Sequence, residues 1–461
     1  MQYTRAVEDF VSCLRRSGLV PEKEVDALVD RVAQTGVDVR DPKKIAAALV
    51  RDETLTQWQA ENLLRGKRRG FVLGKYRLLG LLGKGGNNTV YVAEHSLMRR
   101  RCAIKILPTK SASSSSSALT RFQLEARAVA LLDHTNIVRA YDLGQDKDGK
   151  MVVHFFVMEL VDGESFEERV TREGPLPAVE AANLIRQAAD GLAHAHKSGI
   201  IHRDIKPANL LVDRQGVVKI LDLGLAKMSD ILSADDSPVL GTADFLAPEQ
   251  ALDAKTADAR SDVYSLGCTF YFILCGQVPF SGGTLSERLV RHLFETPVNL
   301  SRRRADLPAD LTSIVHRMLI KNPNERIQTC AEVSSQLRTW LLKHADQKWL
   351  RANPALLGTG RSGQREGGEA PIIAADDQSP ARGLSVAASA TPAELGGTTP
   401  GALASDLIPV MEHPGTARGF LEAEEFQVPI SPVTRLLMKD RTERTSWRTW
   451  LTRASKKLRG G

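Results

Sequence analysis

One short run of residues limits what this chain can fold into more than any other part of its sequence. Residues 201–210 read IHRDIKPANL, and the DLG triplet at 222–224 begins thirteen residues after Asn209. Further on, residues 241–242 read GT and residues 247–249 read APE. Polar motifs in this order and at these spacings do not arise by chance, so we expect them to build one site.

A glycine-rich stretch and a lysine-bearing strand precede these motifs. Residues 83–90 read GKGGNNTV between two predicted strands, and such loops let backbone N–H groups approach phosphates closely. Lys105 follows on an alternating apolar strand, where an inward-facing ammonium needs an anionic partner. Glu125, on a helix predicted at 121–132, is a candidate for that partner. Each of these signals is weak in isolation, because glycine-rich hairpins and exposed strand lysines are common.

Predicted strands and helices divide the central part of the chain into two regions. The chain is β-rich at first and mostly helical after about residue 178. The predicted strands are residues 76–82, 90–93, 102–107 and 152–158. A strand-rich stretch followed by a helix-rich one predicts an α+β fold with two lobes.

The N-terminal residues 1–70 are predicted to form a small helical module. Apolar residues recur at helical spacing, as in residues 7–14. Asp41 before Pro42 is typical of a helix start, with the aspartate as cap and the proline at the first helical position. A last short helix is predicted within residues 56–66, and no residue of the module is predicted to carry chemistry.

The composition changes again past about residue 343. Gly, Ala, Pro, Thr and Ser dominate, and the only aromatic residues between positions 351 and 445 are Phe420 and Phe426. Such a segment buries too little apolar surface to offset the entropy of ordering it. We therefore predict a folded body that ends near residue 342, a disordered linker at 345–430 and a basic amphipathic tail at 431–461.

The charge distribution limits the partners that are expected. The net charge is +7, and the last 21 residues carry seven basic residues and one acidic residue. The remainder of the chain is therefore close to neutral, which argues against a nucleic-acid-binding protein. Five cysteines without a CxxC pair argue against a zinc module and against a disulfide-stapled secreted domain.

No targeting or membrane-spanning segment is predicted from the sequence. The N-terminus has early acidic residues and no apolar run of the kind that a signal peptide requires. The most apolar window, residues 263–280, is broken by glycine and proline and is shorter than the ~20 residues of a span. We predict that it is a buried core helix and that the chain is cytoplasmic.

Together, these motifs resemble those of the eukaryotic-type protein kinases, and more narrowly the bacterial serine/threonine kinases of that type. The resemblance covers about residues 76–342 and is most specific at residues 201–210 and 222–224. It implies the two-lobed protein kinase fold, with a small β-rich lobe and a larger helical lobe. It also implies ATP and Mg²⁺ as cofactors and transfer of the γ-phosphoryl group to Ser or Thr hydroxyls of proteins, including the chain itself.

The resemblance assigns roles around the phosphates. Asp222 and Asn209 would bind two Mg²⁺ ions, because both offer hard oxygen ligands. Lys105, oriented by Glu125, would contact the α- and β-phosphates. Within the family, these residues hold the nucleotide in line with the acceptor.

The resemblance also assigns the acceptor side and the nucleotide pocket. Asp204 would accept or orient the proton of the substrate hydroxyl. Lys206 would place a positive charge near the γ-phosphate, and a lysine at this position marks serine/threonine specificity in the family. The implied nucleotide-binding residues form the lid, the adenine pocket and the hinge: Leu82, Gly83, Gly85, Val90, Ala103, Lys105, Met158, Glu159, Leu160 and Asn209.

Two residues depart from the family pattern. Asn88 stands where the third glycine of the loop is usual, although Asn tolerates a positive φ better than most residues. Leu223 replaces the usual phenylalanine and is still apolar.

The resemblance also implies two structural supports. Glu249 would pair with Arg326, and Asp262 would brace the backbone of the catalytic loop.

Regulation by phosphorylation is a further implication. Arg203 precedes the predicted catalytic aspartate, and in the family such an arginine contacts a phosphate on the activation loop. The hydroxyl candidates on that loop are Ser229, Ser233, Ser237 and Thr242. A phosphate there would pair with Arg203 and order the loop. Ser233 and Ser237 are favoured, because Thr242 is expected to hydrogen-bond within the active site.

Two alternatives to an active protein kinase stay open. A pseudokinase scaffold would bind nucleotide without efficient transfer; Asn88 favours it, whereas the presence of Lys105, Asp204 and Asp222 does not. A small-molecule kinase on a related fold is the other alternative. Residues 241–249, which shape a peptide-docking surface in protein kinases, argue against it.

The tail carries its own hypothesis. Five apolar residues fall on one face of a predicted helix, namely Trp447, Trp450, Leu451, Ala454 and Leu458. Basic residues lie beside or opposite them. Tryptophan prefers the water–lipid boundary, and basic residues favour anionic surfaces. Peripheral attachment to an anionic membrane through residues 441–461 is therefore predicted. The equal alternative is a tail that docks on the kinase surface or stays disordered.

Overall fold

A computed structural model describes residues 4–85, 88–107, 129–148, 151–223, 242–253 and 256–357. The tail, most of the predicted linker, Glu125 and the three candidate serines of the activation loop lie outside these residues. Within the described ranges, every helix falls short of the length and apolar character that crossing a membrane requires.

Four helices form the N-terminal module, in line with the helical spacing of its apolar residues. They are α1 (Arg5–Arg16), α2 (Val25–Gln34), α3 (Pro42–Arg51) and α4 (Gln57–Leu64). Their apolar faces share one core, which includes Phe10, Leu14 and Phe71. The Asp41 side chain accepts a hydrogen bond from the Lys43 N–H, so α3 begins with the cap that the sequence predicts.

Six antiparallel strands form the sheet of the small lobe. They are β1 (Val72–Leu73), β2 (Tyr76–Gly85), β3 (Asn88–His95), β4 (Arg101–Leu107), β5 (Ala140–Asp148) and β6 (Met151–Met158). The sheet order is β1-β2-β3-β4-β6-β5. Strand β5 was not predicted, because residues 145–148 are all polar. It lies at an edge of the sheet, where polar side chains are common.

A short three-stranded sheet begins the large lobe and positions two of the sequence motifs. Its strands are β7 (Gly163–Ser165), β8 (Leu210–Asp213) and β9 (Val218–Ile220), paired in that order. The 201–210 motif leads into β8, and Asp222 follows β9. The Leu221 N–H donates to the Asn209 carbonyl at 2.9 Å, so the two motifs lie on adjacent connections of one hairpin.

Helices make up the rest of the large lobe. They are α5 (Phe166–Glu173), α6 (Ala178–Lys197), α7 (Pro248–Leu252), α8 (Ala259–Cys275), α9 (Leu285–Phe294), α10 (Leu300–Arg303), α11 (Ala309–Met318), α12 (Cys330–His344) and α13 (Gln347–Ala352). Helix α8 occupies the most apolar window of the sequence. Its residues Val263, Tyr264 and Phe270 have no exposed surface, as expected for a core helix.

The ordered part of the large lobe extends beyond the predicted start of the linker. Helix α13 lies after residue 345, and Leu350 and Leu356 are buried. Leu356 belongs to the core of the large lobe, and Trp349 packs against that core. The predicted linker start at residue 345 is therefore too early, because these apolar residues gain enough burial to order the chain through residue 357.

Candidate active site

A buried carboxylate organises the backbone of the 201–210 motif. Asp262 Oδ2 accepts from the His202 N–H and Asp262 Oδ1 from the Arg203 N–H, both at 2.8 Å. His196 Nε2 lies 2.8 Å from Asp262 Oδ2. The Asp262 side chain is 0% exposed, and burying a charge in this way is tolerated only when hydrogen bonds compensate it. The bracing role that the family resemblance implies for Asp262 is therefore matched by its contacts.

Two non-glycine residues of the motifs have left-handed backbone conformations. Arg203 has φ 69° and Asp222 has φ 58°. Such conformations cost free energy in residues with a Cβ and cluster at functional sites, where the surrounding structure enforces them. Gln250 contributes to this enforcement, because its Nε2 donates to the Arg203 carbonyl at 3.0 Å. Sequence reasoning did not single out Gln250, which directly follows the APE triplet.

The side chains of the 201–210 motif converge on Asp204. Lys206 Nζ lies 3.1 Å from Asp204 Oδ1 and 2.9 Å from Oδ2. Asn209 Nδ2 donates to the Asp204 carbonyl at 2.8 Å and to Oδ2 at 3.1 Å. The carboxylate is thus held between an ammonium and an amide on one turn of chain. The Asn209 amide nitrogen makes these bonds, so its oxygen is the atom suited to a cation.

Lys105 and Asp222 form an ion pair between the two lobes. Lys105 Nζ is 2.5 Å from Asp222 Oδ2, and the lysine side chain is only 6% exposed. Asp222 supplies the anionic partner that a buried ammonium requires. The sequence predicts Glu125 for that function, and Glu125 lies outside the described residues.

The strands around the predicted glycine loop pair up to the edge of the described residues. The last pairs of the β2–β3 ladder are Gly83 with Val90 and Gly85 with Asn88. Asn88 therefore continues the ladder at the position where the family has its third glycine. Leu82 is 52% exposed, which is unusual for a large apolar side chain, and Val90 packs against the main core. These two positions suit a lid and an adenine contact.

The predicted hinge follows β6 directly. Met158 pairs with Ala103 across the sheet, and both residues are buried. The Glu159 N–H donates to the Arg139 carbonyl at 2.9 Å. Lys219 on β9 places its Nζ 3.0 Å from Glu159 Oε1, so the hinge is tied to the hairpin that carries Asn209 and Asp222. Sequence reasoning missed Lys219, a lone charge between two buried residues of a short strand.

Leu160 follows in the hinge and packs against the main core. Thr242 begins a short 3₁₀ helix over Thr242–Phe245.

The candidate phosphorylation sites Ser229, Ser233 and Ser237 lie outside the described residues. Among the described residues, the buried Nε of Arg203 has no hydrogen-bond partner. Phosphorylation of the activation loop stays a prediction, and Arg203 offers a buried donor for it.

A second ion pair supports the end of the 241–249 segment. Arg326 donates from Nη1 to Glu249 Oε1 at 2.8 Å and from Nη2 to Oε2 at 3.0 Å. Burial opposes ionisation of Glu249, but the hydrogen bonds from Arg326 outweigh it and lower the pKa of the carboxyl below its ordinary value. The pairing that the resemblance implies is therefore present.

The side-chain oxygens of Asp222 and Asn209 fit a magnesium-bound nucleotide. Among the described residues, no group of three or more His, Cys, Asp or Glu side chains is arranged to hold a metal ion alone. Mg²⁺ at phosphoryl-transfer sites needs only one or two protein oxygens, because phosphates and water complete its shell. The Asp222 carboxylate and the Asn209 amide, joined through the Leu221–Asn209 backbone bond, match that requirement.

Comparisons with known proteins agree with this geometry. A family model described as the protein kinase domain matches residues 76–337. The chain is 39% identical over 265 residues to the serine/threonine-protein kinase PknB of Mycobacterium leprae. It is 36% identical over 278 residues to the serine/threonine-protein kinase PrkC of Bacillus subtilis.

These alignments cover 57% and 60% of this chain but 42% of each relative. The chain thus spans less than half the length of the curated relatives that it matches. The family model covers more than half of the chain, and the predicted two-lobed fold is confirmed. By its motifs, its fold and this match, the chain belongs to the protein kinase family, with its kinase domain over residues 76–337.

Proposed function

We propose that this chain is an ATP-dependent serine/threonine protein kinase that also phosphorylates itself. One observation carries the proposal: three separate parts of the chain, which carry Lys105, the Asp204–Asn209 turn and Asp222, meet at one cleft. The names of its relatives support serine/threonine kinase activity, since both PknB and PrkC are named as such kinases.

The residues around the phosphates divide the work of positioning the nucleotide. Bound Mg²⁺ would neutralise charge on the phosphate oxygens, and Asp222 and Asn209 are the residues that would hold it. The Lys105 side chain is buried, so its ammonium would hold the α- and β-phosphates from a fixed position. Because phosphoryl transfer needs little covalent chemistry from the protein, holding these groups in line supplies most of the catalysis.

The acceptor side is served by Asp204 and Lys206. Asp204 would accept or orient the proton of the substrate hydroxyl, because its carboxylate is held in place by Asn209. Lys206 lies against Asp204 and carries the positive charge that the transferring γ-phosphoryl group requires. The lysine at this position supports Ser and Thr rather than Tyr as acceptors.

The pseudokinase alternative is disfavoured by the same geometry. A scaffold that does not transfer phosphate has no need for the Lys206–Asp204 contact or for the Asp222 position, yet both are in place. The departure at Asn88 does not interrupt the β2–β3 ladder. A small-molecule kinase is disfavoured because the 241–249 segment is anchored by the Glu249–Arg326 pair.

The membrane hypothesis for the tail is retained as a proposal. Residues 441–461 lie outside the described residues, and their tryptophans and basic residues support membrane attachment. Through this tail the kinase would be held beside an anionic membrane and act on protein substrates there. The proposal for the tail is independent of the proposal for the kinase activity.

The test of the kinase activity uses the purified full chain with γ-labelled ATP and Mg²⁺. We expect label on Ser and Thr of the chain, mapped by mass spectrometry, and its loss on chelation of the metal. Asp204→Asn is the matched control, because it keeps the shape of the side chain and removes the carboxylate. Nucleotide binding without transfer to the chain or to a general protein substrate would support the pseudokinase instead.

A further inference from the structure

The strand that leads into the glycine loop shifts register against β3 twice, and the first shift is a bulge. In the β2–β3 ladder Leu78 pairs with Ala93, and the next pair is Gly80 with Val92. Leu79 is therefore an extra residue in β2. A bulge bends its strand and leaves backbone groups without a partner on the neighbouring strand, so these groups must be satisfied elsewhere.

The first turn of α4, in the N-terminal module, donates hydrogen bonds to the backbone carbonyls at the bulge. Gln59 Nε2 donates to the Leu78 carbonyl at 2.6 Å, and the Thr56 hydroxyl donates to the Leu79 carbonyl at 2.5 Å. Gln59 is 0% exposed. Helix α4 and strand β2 are thus joined by side chains that reach directly to the backbone of the bulge.

Thr56 and Gln59 also hold one another in place. The Thr56 N–H donates to Gln59 Oε1 at 2.9 Å, and the Gln59 N–H donates to the Thr56 hydroxyl at 3.2 Å. This is a capping box, in which two side chains satisfy the free N–H groups at a helix start. Here each side chain accepts within the helix and donates to β2. The rotamers of both are therefore locked, as a positioning device requires.

Apolar packing holds α4 over the same strands. The Trp58 ring lies edge-on to Phe71, with ring centroids 5.8 Å apart, and edge-on to Tyr91, at 5.6 Å. Tyr91 pairs with Leu81 in the β2–β3 ladder. Trp58 packs against the core of the module and against the core of the small-lobe sheet. The module and the strand pair that carries the glycine loop are therefore packed against each other through Trp58.

We propose that Thr56 and Gln59 are positioning residues for nucleotide binding. They fix the bulge at Leu79, and through β2 they set where the glycine loop, which begins at Gly83, lies over the phosphates. The inference rests on the proposed function only in taking ATP as the ligand under that loop. It assigns to the N-terminal module a contribution to ATP affinity, although the described residues of the site all lie outside the module.

Substitutions that remove these hydrogen bonds but keep the side-chain volume test the proposal. Gln59→Leu and Thr56→Val do so, whereas Thr56→Ser keeps the hydroxyl and serves as the conservative variant. Gln57→Leu is the matched control, because Gln57 lies in the same turn, is exposed and donates from its amide to the exposed Glu61 side chain. All variants are made in the full chain.

Nucleotide affinity and turnover are measured separately. Titration of a fluorescent ATP analogue gives Kd without turnover, and phosphorylation of a protein substrate gives kcat and KM for ATP. We expect Gln59→Leu and Thr56→Val to raise both Kd and KM roughly five- to tenfold, the effect of losing about one hydrogen bond, with kcat within about twofold. Thr56→Ser and Gln57→Leu are expected to match the wild type.

The outcomes separate this inference from the proposed function. A lower Tm with unchanged Kd in both Gln59→Leu and Thr56→Val would overturn it, because the two residues would then only stabilise the fold. If Gln59→Leu does not fold, the Kd values of Thr56→Val and Thr56→Ser decide, and equal values would overturn the inference. If the wild type binds the analogue but does not transfer phosphate, the proposed function is wrong. The Kd values of the variants then still test the inference.

Discussion

The ammonium group of Lys105 lies 2.5 Å from the carboxylate of Asp222, although 117 positions separate the two residues in the chain. Lys105 comes from strand β4 of the small lobe, and Asp222 follows strand β9 of the large lobe. The pair therefore bridges the cleft between the lobes. A nucleotide would draw both groups to itself, since phosphates bind the ammonium and their metal binds the carboxylate.

The first prediction concerns this pair. Lys105→Met and Asp222→Asn are each expected to lower phosphoryl transfer by roughly 10³-fold, because each removes a charge that stabilises the transferring group. Rates are compared by incorporation of label from ATP. Lys197→Met, an exposed position on α6, is the control and should retain wild-type activity. Undiminished transfer by both active-site variants would rule out the assignment.

The second prediction concerns the brace of the catalytic loop. Asp262→Asn weakens the charge-assisted bonds to the backbone of His202 and Arg203, which are stronger than neutral ones. We expect kcat to fall by roughly tenfold or more while Kd for nucleotide changes little, because Asp262 lies on α8 of the large lobe and its bonds go to the 201–210 motif. Asp258→Asn, which removes the cap charge of the same helix away from the loop, should leave kcat unchanged. Equal effects of the two substitutions would contradict a role for the brace.

The third prediction is a pH dependence of stability. His292 is fully buried against Tyr264, and burial, with Lys321 nearby, lowers the pKa of its ring from 6.5 to about 3. Between these values the unfolded chain binds a proton that the native chain does not. The free energy of unfolding should therefore fall as pH drops below about 6.5, with a slope approaching ~1.4 kcal/mol per pH unit from this group.

Denaturant unfolding at a series of pH values measures that slope. His292→Asn keeps a polar group near the Tyr264 hydroxyl and removes the titration, so its curve should be flatter than the wild-type curve below pH 6.5. Above about pH 7.5 the two slopes should coincide, which serves as the internal control. Parallel curves over the whole range would show that His292 does not contribute.

The fourth prediction concerns activation by phosphorylation. Replacing Ser229, Ser233 and Ser237 together by Ala is expected to lower kcat by roughly tenfold, because no phosphate would then pair with Arg203 and order the loop. Transfer to a protein substrate is measured after preincubation with ATP. Single restoration of Ser233 or of Ser237 should recover most of the activity. A triple variant as active as the wild type would refute the switch.

The fifth prediction concerns the tail. The full chain should co-sediment with anionic vesicles, release them as salt is raised, and lose binding when residues 441–461 are removed. Vesicles of neutral lipid are the control and should not bind. If the truncated chain sediments with anionic vesicles as well as the full chain does, the tail is not an anchor.

Local patterns in the sequence are sufficient to predict several elements of the fold and part of the site. The 201–210 motif brings Asp204, Lys206 and Asn209 onto one turn, so their contacts follow from spacing of a few residues. The capped helix at Pro42 and the core helix α8 also follow from local signals, namely turn chemistry and apolar runs. The family resemblance then supplied the roles of residues that lie far apart.

Other relationships were decided only by the tertiary structure. The Lys105–Asp222 pair, the tie of Lys219 to Glu159 and the contacts of Gln59 with β2 join residues whose separation in sequence says nothing about distance. The polar strand β5 is likewise held by its neighbour β6 and not by its own pattern. Periodicity and turn chemistry specify single elements, whereas the partner of a buried charge or a bulged carbonyl depends on which elements pack together.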